Sequence, residues 1–256
     1  MTGITLQSHT TAGGRVERLF PENGYRLSIP SGDAKSYRLA QLDDYSNLPR
    51  NKLPWHTNFS LELKARASTN EIPGTWGFGV WNDPFSFSLG FGGSRSFPAL
   101  PNTAWFFFAG TQNYLSFQDD LPANGALAAV FRSRNLPTLF LMLTTPLLPA
   151  LLCKVTARLF RRAIRQIVIE DAIALNVDVT TWHHYQIIMA EKRISFSLDS
   201  EQVLQSTLVP KSPLGLVIWI DNQCAGFTPQ GKVYWKVLPN EEAVWFEIKD
   251  IKVGTE

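Results

Sequence analysis

Along most of the chain apolar residues recur at every second position, the spacing of strands with one face turned to a core. The clearest run is 57–67, where Phe59, Leu61, Leu63 and Ala65 alternate with Ser60, Glu62, Lys64 and Arg66. In 75–85 the alternation sends Trp76, Phe78 and Val80 to the core and Gly77, Gly79, Trp81 and Asp83 to the other face. A second strand, 214–222, repeats that design, with Leu214, Leu216, Ile218 and Ile220 inward and Gly215, Val217, Trp219 and Asp221 outward. Ile194, Phe196 and Leu198 alternate within 182–210 ahead of a turn at Asp199-Ser200, and 243–253 forms the last apolar strand. Shorter strands are expected at 24–30 and 35–40, around the turn Pro30-Ser31-Gly32-Asp33, and at 85–91 before a loop over 92–102. The runs 103–109 and 114–118 flank Gly110-Thr111-Gln112-Asn113 and predict a hairpin, whereas 126–132 and 166–175 fit either strand or helix. No regular helices separate the strands, so parallel crossovers are excluded and the fold class is all-β, an antiparallel β-sandwich in one domain over 1–256.

Residues 136–169 break this pattern and predict a helical insertion. Positions 137–153 hold 17 residues without a charge, followed at once by a basic stretch. At about 100° per residue, Lys154, Arg158, Arg161, Arg162 and Arg165 share one helix face, with Val155, Leu159, Phe160, Ala163 and Ile167 opposite. The apolar run is short of the ~20 residues that span a bilayer and contains Pro146 and Pro149, and a single pass would separate strands that belong to one sandwich. What remains is a segment that packs its apolar side on the sandwich, closes over a cleft as a lid, contacts a second subunit, or lies in a membrane interface.

Composition and charge narrow the classes. A chain of 256 residues with 45% hydrophobic and 18% charged residues can bury a sizeable core. From Leu121 to Ile169 there are seven basic residues and no acidic ones, leaving 17 basic against 22 acidic elsewhere, a balance of −5. The positive field therefore belongs to the insertion and suits anionic lipid headgroups, nucleic-acid phosphate or an acidic protein surface, with no specific nucleic-acid partner expected. Cys153 and Cys224 make neither a disulfide framework nor a metal-ligand spacing, and the first residues form no secretion leader. The expectation is a cytoplasmic protein, peripheral at a membrane if the insertion docks there.

Candidate chemistry lies on the face away from the core. Glycines inside a strand weaken it unless something approaches the backbone closely, so Gly77 and Gly79 beside Trp81 point either to a ligand or to a bulge or bend. By parity the site carries Trp81 and Trp219 as stacking rings, Asn82 and Asn222 at the strand ends, Tyr114 and His184 as further ligand-binding members, and Asp83 and Asp221 as candidate catalytic acids. The chain has no G-x-S-x-G elbow, H-E-x-x-H, P-loop or dinucleotide fingerprint. No cofactor and no catalytic metal are expected; Asp250 is a weak candidate calcium ligand, and His183-His184 read as hydrogen-bonded structural groups.

The order of motifs resembles the concanavalin A-like jelly roll in its glycoside hydrolase family 16-like branch. The matching residues are Trp76 to Trp81 for its Trp-rich strand, Trp182-His183-His184-Tyr185 for its F/W-H-x-Y strand, and Ile194 to Asp199 for its I-x-F-x-x-D-G hairpin, with Ser200 in place of the glycine. The resemblance covers roughly residues 55–253 without the insertion. It implies an antiparallel jelly roll and a carbohydrate ligand, but the E-x-D-x-x-E strand of that branch is missing: TAWFFFA (103–109) stands where it is expected, and Asp119-Asp120 and Glu170-Asp171 are adjacent pairs that point to opposite faces. The main functional expectation is binding of a hydrophobic or amphiphilic small molecule in an aromatic cleft, with acid–base cyclisation or isomerisation by Asp83 or Asp221. The alternatives are a non-hydrolytic, lectin-like glycan-binding module and a divergent glycoside hydrolase.

Overall fold

The computed structural model describes residues 4–84, 99–134 and 145–255. Its strands are, in chain order, β1 (Gln7–Thr11), β2 (Arg15–Leu19), β3 (Gly24–Ile29), β4 (Leu39–Asp43), β5 (Phe59–Ala67), β6 (Thr75–Trp81), β7 (Thr103–Ala109) and β8 (Gly125–Ser133). After a 3-10 segment (Thr145–Leu152) and one helix, α1 (Lys154–Ile164), follow β9 (Val168–Leu175), β10 (His183–Met189), β11 (Ile194–Leu198), β12 (Glu201–Ser206), β13 (Gly215–Asp221), β14 (Gln223–Phe227), β15 (Val233–Val237) and β16 (Val244–Thr255). A front sheet runs β1-β4-β13-β6-β7-β8-β9, a back sheet runs β12-β11-β10-β5-β16-β3-β2, and β14-β15 form a separate ribbon. Every pairing between these strands is antiparallel.

Alternation explains which residues meet between the sheets. In β5 every second residue from Phe59 to Ala67 is buried, and in β10 Tyr185, Ile187 and Met189 are. They face Trp76, Phe78 and Val80 of β6, Phe106 and Phe108 of β7 and Leu216, Ile218 and Ile220 of β13 in one core. Its centre is aromatic: Trp76 and Phe108 stack at 3.7 Å, and Phe106 meets Tyr185 and Phe196 edge-on at 4.9 and 5.4 Å. Full burial of each such ring stabilises the fold by roughly 1.5–3 kcal/mol. All seven residues of β13 are buried, because a second apolar layer covers the front sheet from outside.

Several expectations are corrected. The run 35–40 becomes strand only from Leu39, and 114–118 is no strand: β7 pairs with β6 and β8, and Tyr114 makes one isolated bridge, to Gly226. Both ambiguous runs, 126–132 and 166–175, lie largely in strands, β8 and β9. Strand formation from Val168 trims the insertion, whose described part is the 3-10 segment, containing Pro149, and α1. The expected strand 85–91, residues 92–98 of the loop after it and 136–144 of the insertion lie outside the described residues.

The helix itself sits with an unexpected side down. Its buried residues are Ala157 and Arg161, while Val155, Leu159 and Phe160 are exposed. Arg161 controls this orientation. Its guanidinium donates to the carbonyls of Ser116 at 3.0 Å, Gln118 at 3.1 Å and Phe227, and pairs with Asp119 Oδ1 at 3.1 Å. It also lies over the rings of Tyr114, Phe117 and Phe227. A cation that satisfies so many acceptors outweighs the burial of a few aliphatic groups. Among the described residues no helix is long and apolar enough to cross a membrane.

Candidate functional site

The outer face of the front sheet is lined by side chains whose register follows from antiparallel pairing. Trp219 of β13 stands opposite Gly77 of β6 and Gln41 of β4, and Trp105 of β7 stands opposite Gly79. With no side chain at Gly77, the Trp219 ring lies across it, 3.0 Å from where a Cβ would be. The rings of Trp81 and Trp219 stack at 6.3 Å with planes 1° apart, and Trp105 touches both, at 6.2 and 5.3 Å. Phe107 adds a fourth ring, 5.9 Å from Trp219. What approaches the backbone at Gly77 is therefore the protein's own tryptophan. Gly215 serves Tyr45 in the same way: a Cβ there would lie 2.3 Å from the Tyr45 ring.

Much of this aromatic floor is covered. Tyr45, Leu53, Leu115 and Leu121 pack on it, and the Trp81 indole donates to the Tyr45 hydroxyl at 2.6 Å. Trp81 and Trp219 are only 9% and 7% exposed, whereas Trp105 remains half-buried. Beside the floor, β4 and β1 bring polar groups to the same face, Gln41 opposite Trp219 and His9 opposite Gln41. Gln41 donates to Asp43 Oδ2 at 2.9 Å, and His9 Nε2 lies 3.5 Å from the same oxygen. Sequence reasoning missed His9, Gln41 and Asp43. The segment QSHTT of β1 is polar at nearly every position and gives no period-2 signal.

The two candidate acids are separated. Asp221 pairs in register with Thr75, at the start of β6, and Asp83 lies beyond Trp81, the other end of β6, which is itself six residues or about 20 Å from Thr75. The separation is a consequence of antiparallel pairing, which turns similar strand ends to opposite edges. Asp221 is buried and accepts hydrogen bonds from the Thr75 amide at 3.1 Å, the Thr75 hydroxyl at 3.0 Å, the Gln223 amide at 3.2 Å and the Tyr37 hydroxyl at 3.3 Å. Burial raises its pKa to about 6 against these bonds. Asp83 is buried at a left-handed backbone position, and its carbonyl accepts from Arg50 at 2.6 Å.

The other expected members divide. Asn82 exchanges hydrogen bonds with the Asn102 amide and the Leu100 carbonyl, and Asn222 with the Arg38 amide and the Ser36 and Leu238 carbonyls, so both hold strand ends together. Tyr114 lies under Arg161 and donates to the Asp119 carbonyl. His184 is on the back sheet, paired with Lys64, its Nε2 3.1 Å from Glu62, and cannot join a front-sheet site. Its neighbour His183 ties the hairpin turn, with Nδ1 donating to Asp199 at 2.6 Å while the His184 amide donates to the same carboxylate at 2.8 Å. Asp250, at a left-handed position in the β16 bulge, pairs with Lys64 at 3.0 Å. Among the described residues no three His, Cys, Asp or Glu side chains gather as a metal site.

Two cavities lie elsewhere. One of about 440 Å³, at an open end of the sandwich, is lined by Ile72, Trp76, Phe108, Leu175 and Val177 with Asn70 and Asp178 beside them. Another of about 310 Å³ lies by Trp55 and Asp44, whose carboxylate accepts from the Trp55 indole at 2.5 Å and the Leu216 amide at 2.9 Å. Burial raises the Asp44 pKa to about 6.

No protein-family profile and no curated protein sequence matches the chain. Solved structures do. A glycoside hydrolase family 16 endo-glucanase from Bacteroides ovatus, in complex with G4G3G-2F-DNP, superposes with a TM-score of 0.55 at 9% identity, over 99% of this chain and 96% of that one. A glycoside hydrolase family protein from Mycobacterium thermorestibile gives 0.44 at 11% identity, over 90% and 76%. The binding domain of botulinum neurotoxin DC, in complex with rat synaptotagmin II, gives 0.43 at 8% identity; the match takes in 98% of this chain and 43% of that one. At 9% identity the property shared with the endo-glucanase is the fold, and the fold of this chain is the antiparallel concanavalin A-like jelly roll.

Proposed function

We propose that this protein is a non-hydrolytic glycan-binding module of the jelly-roll fold, which stacks a sugar on Trp105 and hydrogen-bonds it from Gln41 and His9. The observation that carries this reading is the continuous floor of Trp81, Trp105 and Trp219 with Gln41 and His9 registered on the same face. Trp105 and the β4 strand are three strand spacings apart, about 14 Å, a span suited to an oligosaccharide rather than a single ring. Hydrolysis is left out for a geometric reason. Of the outer-face carboxylates, Asp43 and Asp221 are about 13 Å apart along neighbouring strands and Glu170 of β9 is four strand spacings, about 19 Å, from β13, while glycosidase pairs sit about 5–9.5 Å apart. Asp43 and Asp221 are also engaged, the first by the Tyr45 and Ser46 amides and the Ser46 hydroxyl, the second by its four donors. The fold shared with the family 16 endo-glucanase is in keeping with a carbohydrate ligand.

A glycan array followed by titration calorimetry tests the proposal. Wild type should bind at least one oligosaccharide, Trp105→Ala should weaken it at least about tenfold, and no reducing ends should be released. An array without binders, or release of sugar, contradicts it. A second reading, binding of a hydrophobic or amphiphilic small molecule, has one observation in its favour, the 440 Å³ cavity with its apolar wall and Asn70 and Asp178 beside it. Acid–base turnover is not part of that reading, because neither Asp83 nor Asp221 lines the cavity.

A further inference from the structure

Nine large hydrophobic side chains are exposed among the described residues, and six belong to α1, the residue before its N-cap and the β14-β15 ribbon. They are Leu152 at 86%, Val155 and Leu159 at 58%, Phe160 at 40%, Val233 at 39% and Trp235 at 42%. These form one surface. Phe160 stacks on Phe227 at 6.2 Å, and Phe227 pairs directly with Val233, which shares its strand face with Trp235. Leu152, Val155 and Leu159 recur at helical spacing on the side away from buried Ala157 and Arg161.

The cations around this surface divide into two groups. Arg161 and Arg165 hold Asp119, at 3.1 and 2.5 Å, and fasten the helix to the sandwich. Lys154, Arg158 and Arg162 are exposed, and no carboxylate of the described residues pairs with them; Arg158 donates only to the Lys154 carbonyl of its own helix. An apolar stripe is thus presented outward and bordered by three unneutralised cations.

We infer that α1 and the β14-β15 ribbon form a docking surface for an anionic lipid bilayer, with Val155, Leu159, Phe160 and Trp235 entering the interface and Lys154, Arg158 and Arg162 meeting lipid phosphates. Charge complementarity selects this occupant. A second copy seated on the same face would bring two sets of these cations together in a self-complementary contact, which like-charge repulsion opposes. Nucleic acid would meet the cations but leave the apolar stripe in water. The buried Arg161 anchor keeps the helix docked on the protein, so the apolar side faces outward before any lipid is present.

Flotation of the full chain with vesicles tests this, comparing phosphatidylcholine alone with phosphatidylcholine containing about 30% phosphatidylserine. The vesicles carry no glycan, so the outcome is independent of the proposed sugar site. The protein should float with the anionic vesicles at low salt and be released at high salt. Lys154→Gln, Arg158→Gln and Arg162→Gln together should weaken binding about a hundredfold, at roughly fivefold per charge. Val155→Ser with Leu159→Ser should weaken it at least about tenfold, as should Val233→Ser with Trp235→Ser on the ribbon, each checked by an unchanged circular dichroism spectrum. Failure to float at any salt overturns the inference, as does binding that none of the three sets of substitutions alters. A dimer in light scattering that Leu159→Ser dissociates assigns the surface to a second copy and overturns it too.

Discussion

Replacing Arg161 by methionine keeps the stem that packs beside Ala157 and removes the charge. Three carbonyls, of Ser116, Gln118 and Phe227, then lose a donor, at about 1 kcal/mol each once water replaces it. Loss of the cation over the rings of Tyr114, Phe117 and Phe227, 5.5, 6.0 and 5.7 Å away, removes about 0.5–1 kcal/mol more. The Asp119 pair adds less than about 1 kcal/mol, because Asp119 is half-exposed and retains Arg165. Together the loss should be about 3–5 kcal/mol, or roughly 6–10 °C in Tm for a chain of this length. If α1 detaches first, the global loss is smaller and the local signal larger. Urea denaturation and hydrogen exchange on Arg161→Met separate the cases: either the midpoint falls by the full amount, or the amides of α1 lose protection while the sandwich keeps its own. A variant within about 0.5 kcal/mol of wild type with unchanged helix protection would refute the anchoring argument, because that is how a solvent-facing arginine behaves.

The pH dependence should carry the mark of Asp221. Its folded pKa, near 6, lies above the unfolded value of about 3.9, so the stability it contributes is full below the unfolded pKa and is lost as pH rises through 6, by about 3 kcal/mol. Relative to wild type, Asp221→Asn should gain about that much between pH 4 and pH 7 in urea midpoints; parallel curves would show that burial does not govern this group. Trp219→Ala should cost about 3–5 kcal/mol, since the ring packs against Trp81, Trp105 and Phe107, whereas Trp105→Ala, at a half-buried position, should cost clearly less. Equal melting losses for the two would contradict the layering described for the front sheet.

The strands that carry core residues were legible because their alternation is a direct imprint of burial on one side. Phe59 to Ala67 shows it; β6 and β13 are buried on both faces, and there parity alone assigns Trp76 to Val80 and Leu216 to Ile220 to the core between the sheets. The same parity places Trp81 and Trp219 together on the outer face. Strands β1, β2 and β15 were not legible, since each exposes most of its side chains and their sequences QSHTT, RVERL and VYWKV lack a clean period. Site residue His9 went with β1, and Gln41 lies in β4, one residue past the end of the run 35–40 that the sequence marks as a strand. Alternation also says nothing about which strand ends are neighbours, so Asp83 and Asp221 read as companions until the antiparallel register of β6 and β13 sets them at opposite edges. The helix face was misjudged for another reason. A helical wheel ranks arginine as outward, and nothing local to 154–164 announces that Ser116, Gln118 and Phe227 present three carbonyls to position 161.

The central claim is that a sugar lies on the aromatic face of the front sheet, and the indole N–H signals of the eight tryptophans report on it residue by residue. In a ¹⁵N-labelled sample titrated with the best oligosaccharide from the array, the account predicts that the Trp105 indole shifts most, with Trp219 and Trp81 following, while Trp55, Trp182 and Trp245 stay in place. A titration in which Trp76 of the 440 Å³ cavity moves and Trp105 does not would contradict it.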